Sequence, residues 1–258
     1  MGLLDGKLAL IVGVANKRSI AWAIAEQLSA QGARCAFTYQ AERVEDEVRA
    51  LAATLPNPGP VLPLDVQNDD ELVAAVNGAA EGLGGLDILV HAVAYARADD
   101  LGGRFVDTDR DGFQLALDIS AYSLAAMSRL AEPHMAARGG GSVMTLSYIA
   151  AERAVPGYNV MGVAKSTLES IVRYLAWDLG DKQIRVNAIS AGPVRTLAAR
   201  SIPGFGTMVD KAAERAALRR SITQDEVAGS AVFLASELST GVTGHVLYVD
   251  AGYHAIGL

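Results

Sequence analysis

The sequence is almost without cysteine, and this shortage excludes two kinds of site. Cys35 is the only cysteine in the chain, so neither an intrachain disulfide nor a metal site built on a Cys-x-x-Cys pair can form. Cys35 lies in the apolar run 35–39, which favours a buried structural thiol over a nucleophile. His134, His245 and His254 have no metal-ligand spacing among them, so no metal site is predicted.

Runs of positive charge and long apolar runs are also scarce. The longest basic run is the pair Arg219-Arg220, and 22 basic residues stand against 29 acidic ones. Nothing indicates a footprint for a phosphate backbone, so nucleic acid is not a predicted partner. No apolar stretch reaches the roughly 18 residues of a membrane span, and the first residues show no secretory signal pattern. We therefore expect a cytoplasmic protein with no membrane partner.

Short apolar runs rich in β-branched residues recur along the chain and predict seven strands. These runs are 8–14, 35–39, 61–64, 86–94, 142–147, 184–190 and 246–249. They do not alternate with polar residues, as expected for parallel strands that are buried on both faces. Apolar stripes at helical spacing lie between them, such as Ile20, Ile24 and Leu28.

This alternation predicts an α/β protein, a single Rossmann-like domain over 1–258 with a doubly wound parallel sheet and helices on both faces. The segment 194–210 is the exception to the regular pattern. Pro203, Gly204 and Gly206 are expected to break any helix there.

The loop after the first predicted strand is a candidate phosphate site. Between Gly13 and a helix beginning near Ser19, backbone N–H groups and a positive helix end would meet a pyrophosphate. The full G-x-G-x-x-G pattern is absent, so an ordinary turn remains an alternative. The second strand ends beside Gln40, where a ribose is read in such folds. Because Gln40 is neutral and the next base is Arg43, NADH is favoured over NADPH.

Two further residues at predicted strand ends leave alternatives open. Asp65 follows the third strand and either accepts the adenine amino group or caps the helix that begins near Asp69. His91, at the end of the fourth strand, fits a hydrogen-bonded structural histidine better than a base.

Tyr158 and Lys165 form the most informative spacing in the chain. Both fall in a predicted helix over about 157–179, where seven residues make two turns and place the side chains on one face, with Gly162 between them. The lysine could depress the pKa of the phenol and donate to ribose hydroxyls. The phenol could then donate to an oxyanion. Taken alone, such a pair also occurs by chance.

Tyr148 follows the fifth predicted strand, and the carboxyl end of that strand should face the same crevice. It is either a second donor or an aromatic wall.

Three long segments resemble the enoyl-acyl-carrier-protein reductases of bacterial type II fatty acid synthesis, a branch of the short-chain dehydrogenase/reductases. The segments are 13–22, 147–165 and 185–198, and the similarity extends over essentially the whole chain. The Tyr-x6-Lys spacing matters most, because carbonyl-reducing relatives use Tyr-x3-Lys. Here Gly162 stands where that lysine would be.

The resemblance implies NADH-dependent reduction of the trans-2 double bond of an enoyl-acyl-carrier-protein thioester. It makes Tyr158, Lys165 and Tyr148 catalytic and places Ala96, Tyr148 and Tyr158 against the substrate. It also implies an NAD site. In the adenosine half, Gly13, Ser19 and Ile20 would bind the pyrophosphate, Gln40 the adenosine ribose, and Asp65 and Val66 the adenine. In the nicotinamide half, Val93 and Lys165 would bind the ribose, and the carboxamide and pyrophosphate would contact Val194, Arg195, Thr196, Leu197 and Ala198.

The resemblance further implies a homotetramer, with helices near 115–138 and 157–179 as apolar surface. A mobile lid over 195–210 would close on the acyl chain, and diphenyl-ether inhibitors would stack on oxidised nicotinamide beneath it. Two positions depart from the pattern. Ala94 stands where many relatives carry glycine, and Ala92 replaces a common serine.

Two other functions remain as alternatives to this reading. One is a carbonyl or 3-oxoacyl thioester reductase of the same superfamily, which the Tyr-x6-Lys spacing disfavours. The other is a nicotinamide-binding sensor without turnover, since a fold does not dictate a function. A sensor has no need of both Tyr158 and Lys165.

Overall fold

A parallel sheet organises the protein. The computed structural model describes residues 2–196 and 204–257, and these residues include seven strands in the order β3-β2-β1-β4-β5-β6-β7. All neighbouring strands pair in parallel, which confirms the predicted fold class. The strands are β1 Leu8–Val12, β2 Arg34–Tyr39, β3 Val61–Pro63, β4 Ile88–His91, β5 Gly141–Ser147, β6 Ile184–Ala191 and β7 Val246–Val249.

Helices cover both faces of this sheet. They are α1 Ile20–Ala30, α2 Glu42–Ala52, α3 Asp69–Leu83, α4 Ala98–Leu101, α5 Arg110–Leu117, α6 Ser123–Ala137, α7 Asn159–Asp178, α8 Phe205–Arg215 and α9 Gln224–Ala235. One apolar core joins α1, α2 and α9 to the sheet, and a second joins α3, α6 and α7 to the other face. Because both faces are buried, the strands carry continuous apolar runs.

The direction of winding reverses between β1 and β4. The chain adds β2 and β3 on one side of β1, then returns to place β4 and all later strands on the other. The connections that follow β1 and β4 therefore lead to opposite sides of the sheet and leave a crevice above the carboxyl ends of these strands, which is where open α/β sheets bind ligands. The predicted strands 8–14 and 86–94 are too long, because the backbone pairing between β1 and β4 ends at Val12 and His91.

The helix predicted near 115–138 is interrupted. A wider turn, Asp118–Tyr122, separates α5 from α6. This turn brings the Ser120 hydroxyl to the backbone of Tyr95, where Oγ accepts from N at 2.9 Å and donates to O at 3.1 Å. The loop that follows β4 is thereby fixed to the helical layer beside the crevice.

The prediction that no helix forms over 194–210 was wrong for its last part. Helix α8 begins at Phe205, directly after Gly204, whose φ is +70°. Gly206 costs little in the first turn, where backbone N–H groups have no intrahelical acceptor, and burial of Val209 and Ala212 stabilises the helix. Residues 197–203 lie outside the described residues.

The single cysteine is confirmed as a buried structural thiol. Cys35 is buried, and burial raises the pKa of its thiol to about 12, so the thiol is inert.

In the part of the chain that the structure describes, no helix is long and apolar enough to span a bilayer.

Candidate active site

The crevice begins at Gly13, the residue after β1. Its φ is +103°, and a Cβ at this position would lie 2.1 Å from the backbone oxygen of Ala92. Only glycine combines that dihedral with such a close approach. The loops after β1 and β4 are therefore held together at the floor of the crevice.

The first turn of α1 is suited to an anion. Ser19 is the N-cap residue, but its side chain does not cap the helix. Its Oγ accepts instead from the backbone N–H groups of Ala15 and Asn16, each at 3.1 Å. The N–H groups that begin at Ile20 point from a positive helix end at the carboxyl edge of the sheet, which fits a dinucleotide pyrophosphate.

The residues predicted for the adenosine half follow β2 and β3 at the same edge. Gln40 is exposed directly after β2, and Asp65 and Val66 are half-buried after β3. Asn68, not Asp65, caps α3, because its side chain accepts from the first-turn N–H groups. The alternative reading of Asp65 as the cap is therefore wrong, and its position remains compatible with adenine.

Lys165 is buried at the end of β5. Its side chain is on α7, the residue is only 5% exposed, and Nζ donates to the backbone oxygen of Leu146 at 2.8 Å. Burial lowers the pKa of Lys165 to about 8, and the nearby charge of Glu169 opposes that fall. The amine is thus mostly protonated at neutral pH and aimed at the carboxyl edge of the sheet.

Tyr158 precedes α7 and does not lie within it. The helix begins at Asn159, and the first helical hydrogen bond runs from Gly162 N to Tyr158 O. Gly162 has a packing role, because a Cβ there would lie 3.0 Å from the Ala150 oxygen. Tyr158 therefore sits on the cap of the helix, two turns before Lys165.

The rings of Tyr148 and Tyr158 meet edge to face, with their centroids 5.0 Å apart. Burial raises the pKa of Tyr158, and the neighbouring Tyr148 adds to the rise. Burial likewise raises the pKa of Tyr148 to about 12. The expectation that Lys165 depresses the pKa of Tyr158 was wrong, because desolvation dominates. Both phenols stay protonated at neutral pH and are available as hydrogen-bond donors.

Ala96 and Tyr158 are brought together in one apolar cluster. They are half-buried and pack against the buried side chains of Leu101, Met161 and Ala164. Val93, three residues before Ala96, packs on the core below the crevice. An apolar wall therefore lies beside the phenol of Tyr158, which suits an acyl chain.

Residues 194–196 follow the carboxyl end of β6, at the same edge of the sheet as the crevice. Val194 packs on the core, and Arg195 is exposed and pairs with Asp210 at 3.1 Å. The backbone N–H of Thr196 donates to Val194 O at 2.8 Å. Leu197 and Ala198 lie outside the described residues.

Three polar contacts around the site were not predicted from the sequence. The Tyr148 hydroxyl donates to Met208 Sδ at 3.3 Å, and Ser147 Oγ donates to Glu169 Oε1 at 2.5 Å. Ser120 fixes the loop after β4, as described above. A signal existed for Glu169, because it occupies the same apolar face of α7 as Leu168 and Val172.

His91 is confirmed as a structural histidine. It is fully buried, with its ring nitrogens 3.0 Å from Thr145 Oγ1 and 2.7 Å from Ser123 Oγ. Burial lowers the pKa of His91 to about 3, with the charge of Lys165 contributing. The ring is neutral at physiological pH and serves to join β4, β5 and α6.

A doubly wound sheet with a crevice at its carboxyl edge, a half-buried tyrosine and a buried lysine two helical turns further on defines a dinucleotide-binding reductase of the short-chain dehydrogenase/reductase class. The model of one family, enoyl-(acyl carrier protein) reductase, matches residues 13–254. The chain belongs to this family.

Individual relatives match over the whole length. The enoyl-[acyl-carrier-protein] reductase [NADH] FabI of Bacillus cereus is 52% identical over 258 residues, which is 100% of both chains. The Staphylococcus aureus relative, named as an [NADPH] enzyme, is 46% identical over 98% of each chain.

Solved structures agree with the fold. The Bacillus cereus enzyme with NADP⁺ and an indole naphthyridinone superimposes with a TM-score of 0.97 at 52% identity, covering all of both chains. The Anaplasma phagocytophilum enzyme in complex with NAD superimposes with a TM-score of 0.95 at 46% identity, covering 100% of this chain and 97% of that one.

Proposed function

We propose that this reductase, a single domain over 1–258, uses NADH to reduce the trans-2 double bond of enoyl-acyl-carrier-protein thioesters in fatty acid elongation. The observation that carries this proposal is the phenol of Tyr158, which is in edge-to-face contact with Tyr148 and packed beside an apolar wall. Lys165 hydrogen-bonds to the end of β5, at the same edge of the sheet as the turn that precedes α1. The family membership given above supports the same reaction.

The chemistry follows from what each side chain can do. A bound reduced nicotinamide would supply a hydride to the β-carbon of the enoyl thioester, which leaves negative charge on the thioester oxygen until the α-carbon takes up a proton. Tyr158 then donates a hydrogen bond to the thioester oxygen as negative charge develops on it, in a site where water is largely excluded. Lys165 binds the hydroxyls of the nicotinamide ribose and thereby fixes the cofactor next to that phenol. Tyr148 closes the wall on the other side.

The remaining cofactor contacts are proposed residue by residue. They are Gly13, Ser19 and Ile20 for the pyrophosphate, Gln40 for the adenosine ribose, Asp65 and Val66 for adenine, Val93 for the nicotinamide ribose, and Val194, Arg195, Thr196, Leu197 and Ala198 for the carboxamide and pyrophosphate. Except for Leu197 and Ala198, which lie outside the described residues, these residues are exposed or half-buried at the carboxyl edge of the sheet, and that position supports the assignment. Ala96 would touch the acyl chain.

A direct assay tests the reaction against its alternatives. Protein is mixed with NADH and either a crotonyl or a 3-oxoacyl thioester, and loss of the NADH absorbance is followed. Turnover with the enoyl ester alone is expected. Turnover with the 3-oxoacyl ester instead would identify a carbonyl reductase, and turnover with neither would favour a non-catalytic sensor.

Cofactor preference gives a separate prediction. Gln40 is neutral and exposed at the ribose position, and Arg43 is the nearest base along the chain, so we expect a higher kcat/KM with NADH than with NADPH. The relatives differ in this respect, because the Bacillus cereus enzyme is named an NADH enzyme and has a structure with NADP⁺, while the Staphylococcus aureus enzyme is named an NADPH enzyme. Steady-state kinetics with both cofactors measure the ratio. If kcat/KM with NADPH equals or exceeds that with NADH, and Arg43→Ala restores the preference for NADH, then Arg43 binds the 2′-phosphate.

A lid over 195–210 is also proposed, and helix α8 supports it. Met208 of α8 lies against the Tyr148 hydroxyl, and the Arg195–Asp210 pair links the two ends of the segment. We expect NAD⁺ with a diphenyl-ether inhibitor to increase hydrogen-exchange protection across 195–210, and unchanged protection would rule the lid out. Ala94→Gly should tighten inhibitor binding, because the Ala94 methyl group adds bulk near the inhibitor ring, and no gain in affinity would mean that the methyl group points elsewhere.

Assembly into a cytoplasmic homotetramer completes the proposal. Two large aromatic side chains on α7 face outward, Tyr174 at 73% and Trp177 at 85% exposure. Exposed aromatic surface of this kind is typical of an interface. Light scattering should give four times the 26.9 kDa chain mass, and cell fractionation tests the location.

A further inference from the structure

A buried carboxylate lies beside the proposed cofactor site without a part in the chemistry above. Glu169 is only 7% exposed and follows Lys165 by four residues, about one helical turn. Removing a carboxylate from water is costly unless hydrogen bonds or opposite charge compensate. A solvated role on the helix surface is therefore excluded for Glu169.

Two polar contacts join α7 to the end of β5. Ser147 Oγ donates to Glu169 Oε1 at 2.5 Å, and Lys165 Nζ donates to the Leu146 oxygen at 2.8 Å. Leu146 and Ser147 are the last residues of β5, and Tyr148 follows them. One turn of α7 thus carries both a buried amine and a buried carboxyl group, and they hydrogen-bond to two adjacent residues at the end of β5.

Charged and titratable groups from every adjoining element surround this pair. His91 on β4 is neutral at physiological pH, so it adds no charge. Burial raises the pKa of Glu169, with Glu152 adding to the rise, while the Ser147 hydrogen bond, Arg173 and Lys165 oppose it. Tyr248 of β7 hydrogen-bonds to Glu152. The Ser147 donor and the Arg173 and Lys165 cations favour the charged form of Glu169, and its charge raises the pKa of Lys165.

We propose that Glu169 is a positioning residue of the cofactor site, whose buried carboxylate keeps Lys165 charged and holds the end of β5 against α7. The inference rests on the proposed function in one respect, namely that the partner of Lys165 is the nicotinamide ribose. Glu169 itself touches neither cofactor nor substrate. It acts through Lys165, whose ammonium loses one opposing charge if the carboxylate is removed.

The direction of the effect follows from the charges. An anion near an amine favours the protonated form and raises its pKa. Without the Glu169 carboxylate, burial alone acts on Lys165, and the pKa of its amine falls from about 8 to a value closer to neutral pH. A charged ammonium is the stronger donor to ribose hydroxyls. Cofactor affinity that depends on it is present below the pKa of Lys165 and is lost as the pH rises through that pKa.

Glu169→Gln separates charge from hydrogen bonding. The amide oxygen of Gln still accepts from Ser147, while the negative charge is gone. The chain has five lysines, Lys7, Lys17, Lys165, Lys182 and Lys211, so ¹³C-lysine labelling gives few signals, and the one missing in Lys165→Arg is assigned to Lys165. Titration of that signal should show its pKa lowered by about one unit or more in Glu169→Gln.

Binding of NADH provides the second readout. From pH 6 to pH 8.5, the ratio of the Kd of Glu169→Gln to that of the wild type should rise from near one to roughly 5- to 10-fold, as a pKa one unit lower requires. Glu81→Gln removes an exposed carboxylate on α3 and should leave the profile unchanged. Lys165→Arg combined with Glu169→Gln should give a flat profile, because arginine does not titrate in this range.

Each outcome decides the proposal. An unshifted Lys165 pKa, or a Kd ratio that is equally raised at every pH, would reduce Glu169 to a structural residue and overturn it. If Glu169→Gln does not fold, Glu169→Asp, which retracts the charge by one methylene, should shift the Lys165 pKa in the same direction by less. No shift there overturns the proposal too. If Lys165→Ala leaves NADH binding intact, the assigned role of Lys165 fails, and the NMR titration still decides whether Glu169 controls its charge.

Discussion

Tyr158→Phe is expected to lower kcat with an enoyl thioester by about 10²-fold or more while leaving NADH affinity nearly unchanged. The reason is that the phenol donates to an oxygen whose negative charge grows only in the transition state, and loss of one such donor has effects of this order. The edge-to-face contact with Tyr148 and the apolar neighbours use the ring, which phenylalanine retains. Single-turnover kinetics and NADH fluorescence titration measure the two quantities separately.

Tyr148→Phe is the matched control for this prediction. It also removes one hydroxyl from the same pair of rings, but that hydroxyl donates to Met208 Sδ. Its effect on kcat should therefore be much smaller. If Tyr148→Phe abolished activity and Tyr158→Phe did not, the two tyrosines would have exchanged roles.

The pKa values of the tyrosines add a condition on pH. Burial raises the pKa of both phenols, that of Tyr148 to about 12. The protonated donors are present below these values and are lost only as the pH rises through them. Deprotonation of either tyrosine should therefore cause no loss of kcat between pH 6 and pH 9.

Lys165→Ala is expected to weaken NADH binding by about 10- to 100-fold. A hydrogen bond from a charged donor contributes about 1.5–3 kcal/mol, and about 1.4 kcal/mol corresponds to a factor of ten in Kd. The pKa of Lys165 lies near 8 in the absence of cofactor, so the wild-type affinity should itself decline as the pH rises above that value. Fluorescence titration of NADH at pH 6.5 and pH 9 checks both statements.

Lys182→Ala serves as the control for loss of a lysine. Lys182 is partly exposed and pairs with Glu132 on the far end of the sheet from the crevice, so NADH affinity should not change. Circular dichroism must show that Lys165→Ala folds, since the variant also loses the donor to Leu146 O. A folded Lys165→Ala protein with wild-type NADH affinity at both pH values would contradict the ribose assignment.

The fold could be predicted well from local patterns, but the ends of its strands could not. Parallel strands buried on both faces carry apolar runs whatever their neighbours are, so the seven runs were sufficient. Residues 13–14 and 92–94 continue those runs into the crevice, where the ladder has ended. Hydropathy does not report backbone pairing, so it could not show where the strands end, and two of these residues, Gly13 and Val93, are proposed to contact the cofactor.

Helix α8 shows the opposite error. Gly204 and Gly206 are unfavourable for a helix in isolation, yet Phe205–Arg215 is helical because Val209 and Ala212 are buried against the rest of the molecule. Tertiary packing outweighed local propensity there.

The sequence by itself determined which residues carry the proposed chemistry. The Tyr158–Lys165 spacing and the turn from Gly13 to Ser19 are local in the chain, so their residue types could be interpreted without coordinates. Only the tertiary structure decided the protonation of the two phenols, the burial of Lys165 and the partnership with Glu169. Ser147 and Glu169 are 22 residues apart, and Tyr148 and Met208 are 60 apart. A pKa depends on how much water and which charges surround a group, and those are set by segments that meet only when the chain has folded.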